Sequence, residues 1–449
     1  MPGSLLIKGA IGALTGEATP AARLGAVDIR VAGGLIAEIA PNLRARTGET
    51  VLGADGCVIY PGLVNTHHHM FQSLLKGVPA GLNEGLGLWL RGVHLPRLGR
   101  IDEEMVRVGA TLALVQMALS GATTVADHYY LHHAGTAGVL FEVAGQLGMR
   151  LMVCRGAVTV KSTNPDYPDI VPPVSFDAML RDLDDLATCY HDPGGASLRR
   201  VAVAPLTPTY SVTPAELKEL AHFARAKGLR MHTHLSETTD YISYTREKHH
   251  CLPVQFMAEH DWLGPDVWLA HMVHLSAEEI AMVAESRTGV AHCPTSNARL
   301  GSGIAPLPAY AQAGISVSLG VDGPACSEAS HMLDEARMAW LIHRAASGPK
   351  STTVENIVHA ATRAGALNLG FGNTGLLVPG MAADLVAFEL EGPAYWGQHD
   401  ALAAPLITGH ARVRHSLVAG RPVVCDGTLP AIDLEKLRHD AAAAVAKLH

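Results

Sequence analysis

The sequence predicts an α/β protein, a (β/α)8 barrel flanked by a small β domain assembled from both chain ends. Two observations carry this. Between about residues 59 and 370, eight short β-rich runs alternate with helices that bring their own start and stop signals, the count of a parallel barrel. Outside that span both ends are strand-rich and punctuated by Gly and Pro. A length of 449 residues is long for one compact core but suits a barrel with an appendage. A hydrophobic content of 48% with 17% charged residues describes a well-buried globular chain.

Taken in order, residues 1–58 read as short strands: Leu5-Leu6-Ile7, Val27-Asp28-Ile29-Arg30-Val31 and Leu35-Ile36-Ala37-Glu38-Ile39. Alternating apolar positions and intervening turn residues suggest a small antiparallel sheet. The barrel comes next, over 59–370. Its runs lie at 62–64, 123–126, 150–153, 201–204, 229–232, 267–270, 289–291 and 315–319. One helix starts near Asp102, with Met105, Val108, Leu112, Val115 and Leu119 three or four apart and Gly121 beyond its end. Another opens at Thr213-Pro214-Ala215-Glu216, an N-cap with proline at N1 and a capping-box glutamate, and stops at Gly228. A third opens at Ser276-Ala277-Glu278-Glu279 in the same way. Residues 371–449 return to strands at 383–388, 413–418 and 421–424 and end in a helix, so the β domain draws on both termini.

In a parallel barrel the active site sits at the C-terminal ends of the strands, so the residues just past each run matter most. The first run leads into His67-His68-His69. Side chains alternate along a strand, which puts His67 and His69 on one face and His68 on the other. The fifth leads into His232-Thr233-His234-Leu235-Ser236-Glu237, the sixth into His271 and the eighth into Asp322. In a chain with 25 histidines one His-x-His pair arises by chance. Metal-ligating or proton-transferring residues at four barrel strand ends point to a metal site.

Composition excludes other classes. A net charge of −8 and no long Lys/Arg block argue against nucleic-acid or anionic-membrane partners. Seven scattered cysteines without Cys-x-x-Cys spacing read as reduced thiols in a cytoplasmic protein. The apolar run at the start is too short for a signal peptide, and no stretch reaches the length of a membrane span.

The His-x-His after strand one, His after five, His after six and Asp after eight resemble the amidohydrolase superfamily. The run His234-Leu235-Ser236-Glu237 is similar to the His-x-x-Glu of its branch that deaminates aromatic heterocycles. The stretches 65–74 and His292-Cys293-Pro294-Thr295-Ser296-Asn297 resemble the part of that branch holding 8-oxoguanine deaminases, isoxanthopterin deaminases and hydroxytriazine amidohydrolases. The resemblance covers nearly the whole chain and implies a small β-sandwich as the terminal domain. It implies His67, His69, His234 and Asp322 as metal ligands. The fourth strand has no lysine to be carboxylated and bridge two metals, so one divalent metal is expected, zinc first and iron as the other choice. A homo-oligomer is implied by the resemblance alone.

The residue types suggest the chemistry. A divalent cation lowers the pKa of bound water and gives hydroxide near neutral pH. Attack on an amine-bearing ring carbon needs a proton on the adjacent ring nitrogen, which Glu237 is placed to deliver. His271 would hold or deprotonate the water, and Asp322 would carry a proton to the departing amine. Glu237 could otherwise be an exposed residue at a helix start. Candidate substrate contacts are Gln72, just past the His motif, and Arg155, after strand three, which could pair with a ring carbonyl or equally with a neighbouring carboxylate. Trp89 could wall the ring or be core, and Tyr129 and Tyr210 are further candidates. His128 could hydrogen-bond within the site, whereas Cys293 and Cys326 read as small packing residues.

The reading is a deaminase of an oxo-pterin or oxo-purine, isoxanthopterin ahead of 8-oxoguanine, acting with water. The alternative within the class is a hydroxytriazine amidohydrolase releasing an alkylamine. Outside it stands a catalytically silent barrel scaffold, which would be expected to have lost one of His67, His69, His234, Asp322 or Glu237. The loops around Trp89, 156–175 and 206–212 would separate the substrates.

Overall fold

The structure is a computed structural model that describes residues 4–162 and 169–449. Residues 163–168, inside the loop 156–175 expected to shape the pocket, lie outside the described residues. Eight parallel strands form the central sheet in chain order: β1 (Leu63–His68), β2 (Ala122–Tyr129), β3 (Arg150–Arg155), β4 (Arg199–Val203), β5 (Arg230–Leu235), β6 (Val267–His271), β7 (Gly289–His292) and β8 (Val317–Leu319). Thr66 Oγ1 donates to Leu319 O at 2.9 Å and meets Ser318 Oγ at 2.8 Å, and Asp322 N donates to His67 O at 3.0 Å. These contacts bring β1 back beside β8 and close the barrel, as the eight runs predict.

The interior is filled by small and medium side chains on alternate positions, Val64, Ala126, Met152, Cys154, Ala202, Ala270 and Ala291, around the indole of Trp268, with Phe371 joining the same cluster. Small residues around a single indole suit a narrow eight-stranded barrel, whose interior is a packed core rather than a pore. The helices outside begin where the sequence signals them. Asp102 caps Glu103–Leu119 by accepting from Met105 N at 2.8 Å. Thr213 with Glu216 and Ser276 with Glu279 form complete capping boxes.

The chain ends build two further sheets. Four strands run in the order Leu35–Ala40, Val27–Ala32, Leu5–Ala10, Thr50–Gly53. Six run in the order Arg421–Val424, Arg412–Val418, Leu385–Glu389, Cys57–Pro61, Gly12–Leu14, Arg23–Leu24. Their facing sides share one core containing Ile7, Ile29, Ile59, Leu385 and Leu417, which makes a sandwich. Because Cys57–Pro61 pairs along its length with Leu385–Glu389, this unit reaches to residue 61, three beyond the expected boundary. Two pairings are parallel, Leu5–Ala10 with Thr50–Gly53 and Gly12–Leu14 with Cys57–Pro61, where a purely antiparallel sheet was expected. The terminal helix Leu434–Ala446 lies against Glu103–Leu119, and its Leu437 and Ala444 join the barrel's outer core.

At the base of the barrel Arg150, fully buried, forms a two-pronged ion pair with Asp384, at 2.5 and 3.1 Å. This couples β3 to the strand-rich C-terminal segment through a charge pair out of contact with water.

Candidate active site

The strand ends of β1, β5, β6 and β8 converge as expected, and the hydrogen bonds fix which histidine nitrogens face the centre. His232 Nδ1 is 2.8 Å from Trp268 O and can only donate to it, which leaves His232 Nε2 as an acceptor. His67 Nδ1, 2.8 Å from that Nε2, must then be the donor, so His67 Nε2 is a lone pair. His69 Nδ1 donates to His128 O at 2.8 Å and His234 Nδ1 to Leu206 O at 2.6 Å, so their Nε2 atoms are lone pairs as well. Those two atoms face each other at 3.1 Å. Asp322 Oδ1 lies 3.3 Å from His67 Nε2 and 3.4 Å from His69 Nε2. Burial lowers the basicity of all three imidazoles and keeps them neutral.

Four electron-pair donors thus meet with no hydrogen between them. That arrangement is repulsive by itself and fits a divalent cation; three imidazole nitrogens and one carboxylate oxygen suit zinc. Each ligating ring has its other nitrogen anchored, as metal-bound histidines require. His128 also brings a nitrogen into this group, but its ring lies against that of His234 (centroids 4.7 Å apart, 28° between planes) and its Nε2 donates to Ala204 O at 3.0 Å. It buttresses His234. Asp322 is held in turn by Ser296 Oγ at 2.6 Å and Cys326 Sγ at 3.3 Å, both donating to Oδ2. Cys326 is therefore in contact with a site residue and is more than packing.

Two of these residues sit on unusual backbone. His271 has φ 72° and Asp322 φ 58°, in the left-handed region that costs a non-glycine residue about 1–2 kcal/mol. Trp268 and Ala270 face the barrel interior, so simple alternation would turn His271 outward, and the left-handed turn brings it back. Its Nδ1 accepts from Asn297 Nδ2 at 3.0 Å, which leaves the hydrogen on Nε2, 3.7 Å from Glu237 Oε2. Glu237 Oε1 accepts from Ser302 Oγ at 3.1 Å. Burial raises the Glu237 carboxyl, the direction wanted for a proton donor near neutral pH.

The cluster forms the floor of a pocket of about 750 Å³, mouth included, whose walls are largely apolar. Gln72, Trp89 and Tyr210 line it as expected. Trp89 is held by its Nε1 donating to Ala325 O at 3.1 Å. Arg155 and Tyr129 do not line it, which corrects the expectation that they contact substrate. Met152 and Cys154 face the interior, so Arg155 points outward from β3, where it pairs with Asp182 of the helix Phe176–Tyr190 and lies 5.0 Å from the Tyr129 ring. Tyr129 comes directly after His128 on β2 and is turned outward for the same reason of alternation. Among the wall residues that sequence reasoning missed are Tyr130, one position further on, and His94 and Tyr241. Ser302 was also missed. Its signal is weak, a serine in a Gly-Ser-Gly turn far from the strands.

A barrel with this His, His, His, Asp floor and a buried acid beside it defines a metal-dependent hydrolase. Residues 58–423 match the amidohydrolase family, and the chain belongs to it, as a hydrolase acting on C–N bonds. It is 41% identical to an isoxanthopterin deaminase from an unknown prokaryotic organism, over 99% of this chain and 97% of that one. It is 38% identical to the 8-oxoguanine deaminase of Pseudomonas aeruginosa, over 86% and 87%. Among solved structures it resembles atrazine chlorohydrolase from Arthrobacter aurescens complexed with zinc, at 27% identity and TM-score 0.90, over 98% and 100% of the two chains.

Proposed function

We propose that this protein is a metal-dependent hydrolytic deaminase of an oxo-pterin or oxo-purine, with isoxanthopterin the favoured substrate and 8-oxoguanine the next. The observation that carries the reading is the meeting of three Nε2 lone pairs and one carboxylate oxygen at the floor of an apolar pocket, with Glu237 beside them, its carboxyl raised by burial. The two deaminase relatives, each similar over most of its length, support the choice and order of rings. They favour release of ammonia over release of an alkylamine.

A divalent cation, zinc by preference, held by His67, His69, His234 and Asp322 would lower the pKa of water and supply the nucleophile. Glu237 delivers its proton to the ring nitrogen next to the amine-bearing carbon, making that carbon electrophilic. His271, with its hydrogen on Nε2, holds the attacking oxygen by donating to it and does not act as base. The Asp322 carboxylate takes the proton given up by the attacking water and passes it to the amine as the C–N bond breaks, and the hydroxyl proton left on the ring carbon's oxygen returns to Glu237. Water enters, ammonia leaves and the ring carbon keeps a carbonyl. Gln72, Trp89 and Tyr210 orient the ring.

Ammonia release by zinc-loaded protein, measured against isoxanthopterin, 8-oxoguanine, guanine, isocytosine, cytosine and hydroxyatrazine with a chelated control, tests this. Chelator-sensitive turnover of isoxanthopterin or 8-oxoguanine is expected. Turnover confined to hydroxyatrazine, or silence with metal bound, overturns the substrate assignment.

A further inference from the structure

The stretch just past β7 hydrogen-bonds every residue assigned to proton handling. It begins at Cys293 and forms the short helix Pro294–Arg299. Ser296 Oγ donates to Asp322 Oδ2 at 2.6 Å, and Asn297 Nδ2 to His271 Nδ1 at 3.0 Å. Ser302 Oγ donates to Glu237 Oε1 at 3.1 Å. The stretch is also tied to itself, since Ser302 N donates to Asn297 O at 2.8 Å and Asn297 N to Cys293 O at 3.0 Å. From outside, buried Glu335 accepts from Thr295 N at 3.0 Å, and His274 Nε2 donates to Ser302 O at 2.7 Å.

We propose that residues 293–302 form a positioning bracket that aligns Asp322, His271 and Glu237 as one unit, with Asn297 selecting the His271 tautomer that carries its hydrogen on Nε2. The reasoning is geometric. Three groups on three different strand ends must share one substrate, and errors of about 1 Å in such a constellation cost about 10²-fold in rate. Hydrogen bonds from one short, internally bonded segment remove the independent motion of the three. The direction of the Asn297 bond matters as much as its presence. An amide NH2 can only donate to His271 Nδ1, whereas a carboxylate there can only accept from it, which moves the ring hydrogen away from Nε2. Glu335 anchors the segment at the end opposite Ser302. Asn297, Ser302 and Glu335 are positioning residues, since each acts through another.

This inference rests on the roles given above to Glu237, His271 and Asp322, and its test has one arm that needs no substrate. In long-range ¹H–¹⁵N spectra of protein labelled at histidine nitrogens, the His271 signals are those missing from His271→Gln. They should report hydrogen on Nε2 in the wild type and on Nδ1 in the near-isosteric Asn297→Asp. Hydrogen on Nδ1 in the wild type overturns the proposal whatever the enzyme's substrate proves to be. In the kinetic arm, with the best heterocycle of the panel, Asn297→Asp should lose about 100-fold or more in kcat while KM and bound metal stay within twofold. Ser302→Ala, a milder truncation should Asn297→Asp fold poorly, should lose about tenfold in kcat alone. Glu335→Gln, which keeps an acceptor for Thr295 N, should retain most of the rate that Glu335→Leu loses. Parallel loss of metal, melting temperature and KM in these variants, or kcat within threefold of wild type for Asn297→Asp, would show packing and not positioning.

Discussion

At the scale of single residues, the proposed chemistry separates the rings that would hold a cation from the ring that would face the attacking water, with Asp322 serving both ends. The separation rests on which nitrogen of each ring carries hydrogen. His67, His69 and His234 each give their hydrogen to a fixed partner behind them and turn a lone pair inward, while His271 has its rear nitrogen occupied by an amide donor and turns a hydrogen inward. Substitutions should obey this division. Glu237→Gln removes the transferable proton but no lone pair from the cluster, so kcat should fall about 10²- to 10⁴-fold with metal content unchanged. His234→Ala should lose metal and activity together. Elemental analysis beside steady-state rates distinguishes the two, and an active Glu237→Gln enzyme would remove Glu237 from the proposed chemistry.

At the scale of elements, strand ends deliver chemistry only when their parity is right, and this decides what could be read from the sequence. The eight strands were legible because their β-branched and apolar runs are bounded by strong helix caps, and the converging His and Asp residues because they come directly after those runs. Arg155 and Tyr129 misled because they also end strands, but next to inward-facing Cys154 and His128 they must point outward. Alternation would have found this. It would have failed at His271, where a left-handed residue reverses the parity, and no local pattern announces that turn. His94 reaches the pocket from a short helical segment and Tyr241 from a helix start, and Ser302 reaches Glu237 from a loop; the paths of all three depend on tertiary packing.

The helix Met332–Ser347 offers a test at this scale. Its Glu335 is fully buried, and burial pushes the carboxyl from 4.5 up to about 8. The folded chain therefore holds that proton more tightly than the unfolded chain does. The resulting stability is complete below pH 4.5 and is lost as pH rises towards 8. Glutamine cannot ionise and escapes this loss. Melting temperatures of wild type and Glu335→Gln should lie close together near pH 5 and diverge on raising the pH, with the variant the more stable above pH 8. Parallel melting curves across that range would mean that Glu335 stays protonated or is solvated on opening.

At the scale of the whole molecule, the barrel and the sandwich are joined by buried charge. Arg150 has no exposure and meets Asp384 in two hydrogen bonds, while Asp384 Oδ1 also accepts from Ala419 N at 2.7 Å. Asp384→Leu strands a guanidinium in the interior and should destabilise by about 3–5 kcal/mol, read as a lower urea midpoint. The double variant Arg150→Met, Asp384→Leu should recover most of that loss, because neither charge is then left alone. A double variant as unstable as Asp384→Leu would mean that packing, and not charge pairing, holds the two units together.

The joint between the units also runs through the backbone. Cys57–Pro61 is a rung of the sandwich, and after Gly62 alone the same extended chain becomes β1, which ends in the histidine motif. Gly62 N donates to Asp384 O at 2.9 Å, and a Cβ at Gly62 would stand 2.1 Å from Thr123 Oγ1, so any larger residue must displace the Thr123 side chain. The segment runs as one rod clamped at one end in the tail of the protein, with two of the proposed cation ligands at its tip. Looseness in the terminal sheets would be carried along it to the reacting centre, so the rigidity of the appendage would bear on how steadily a cation there is held.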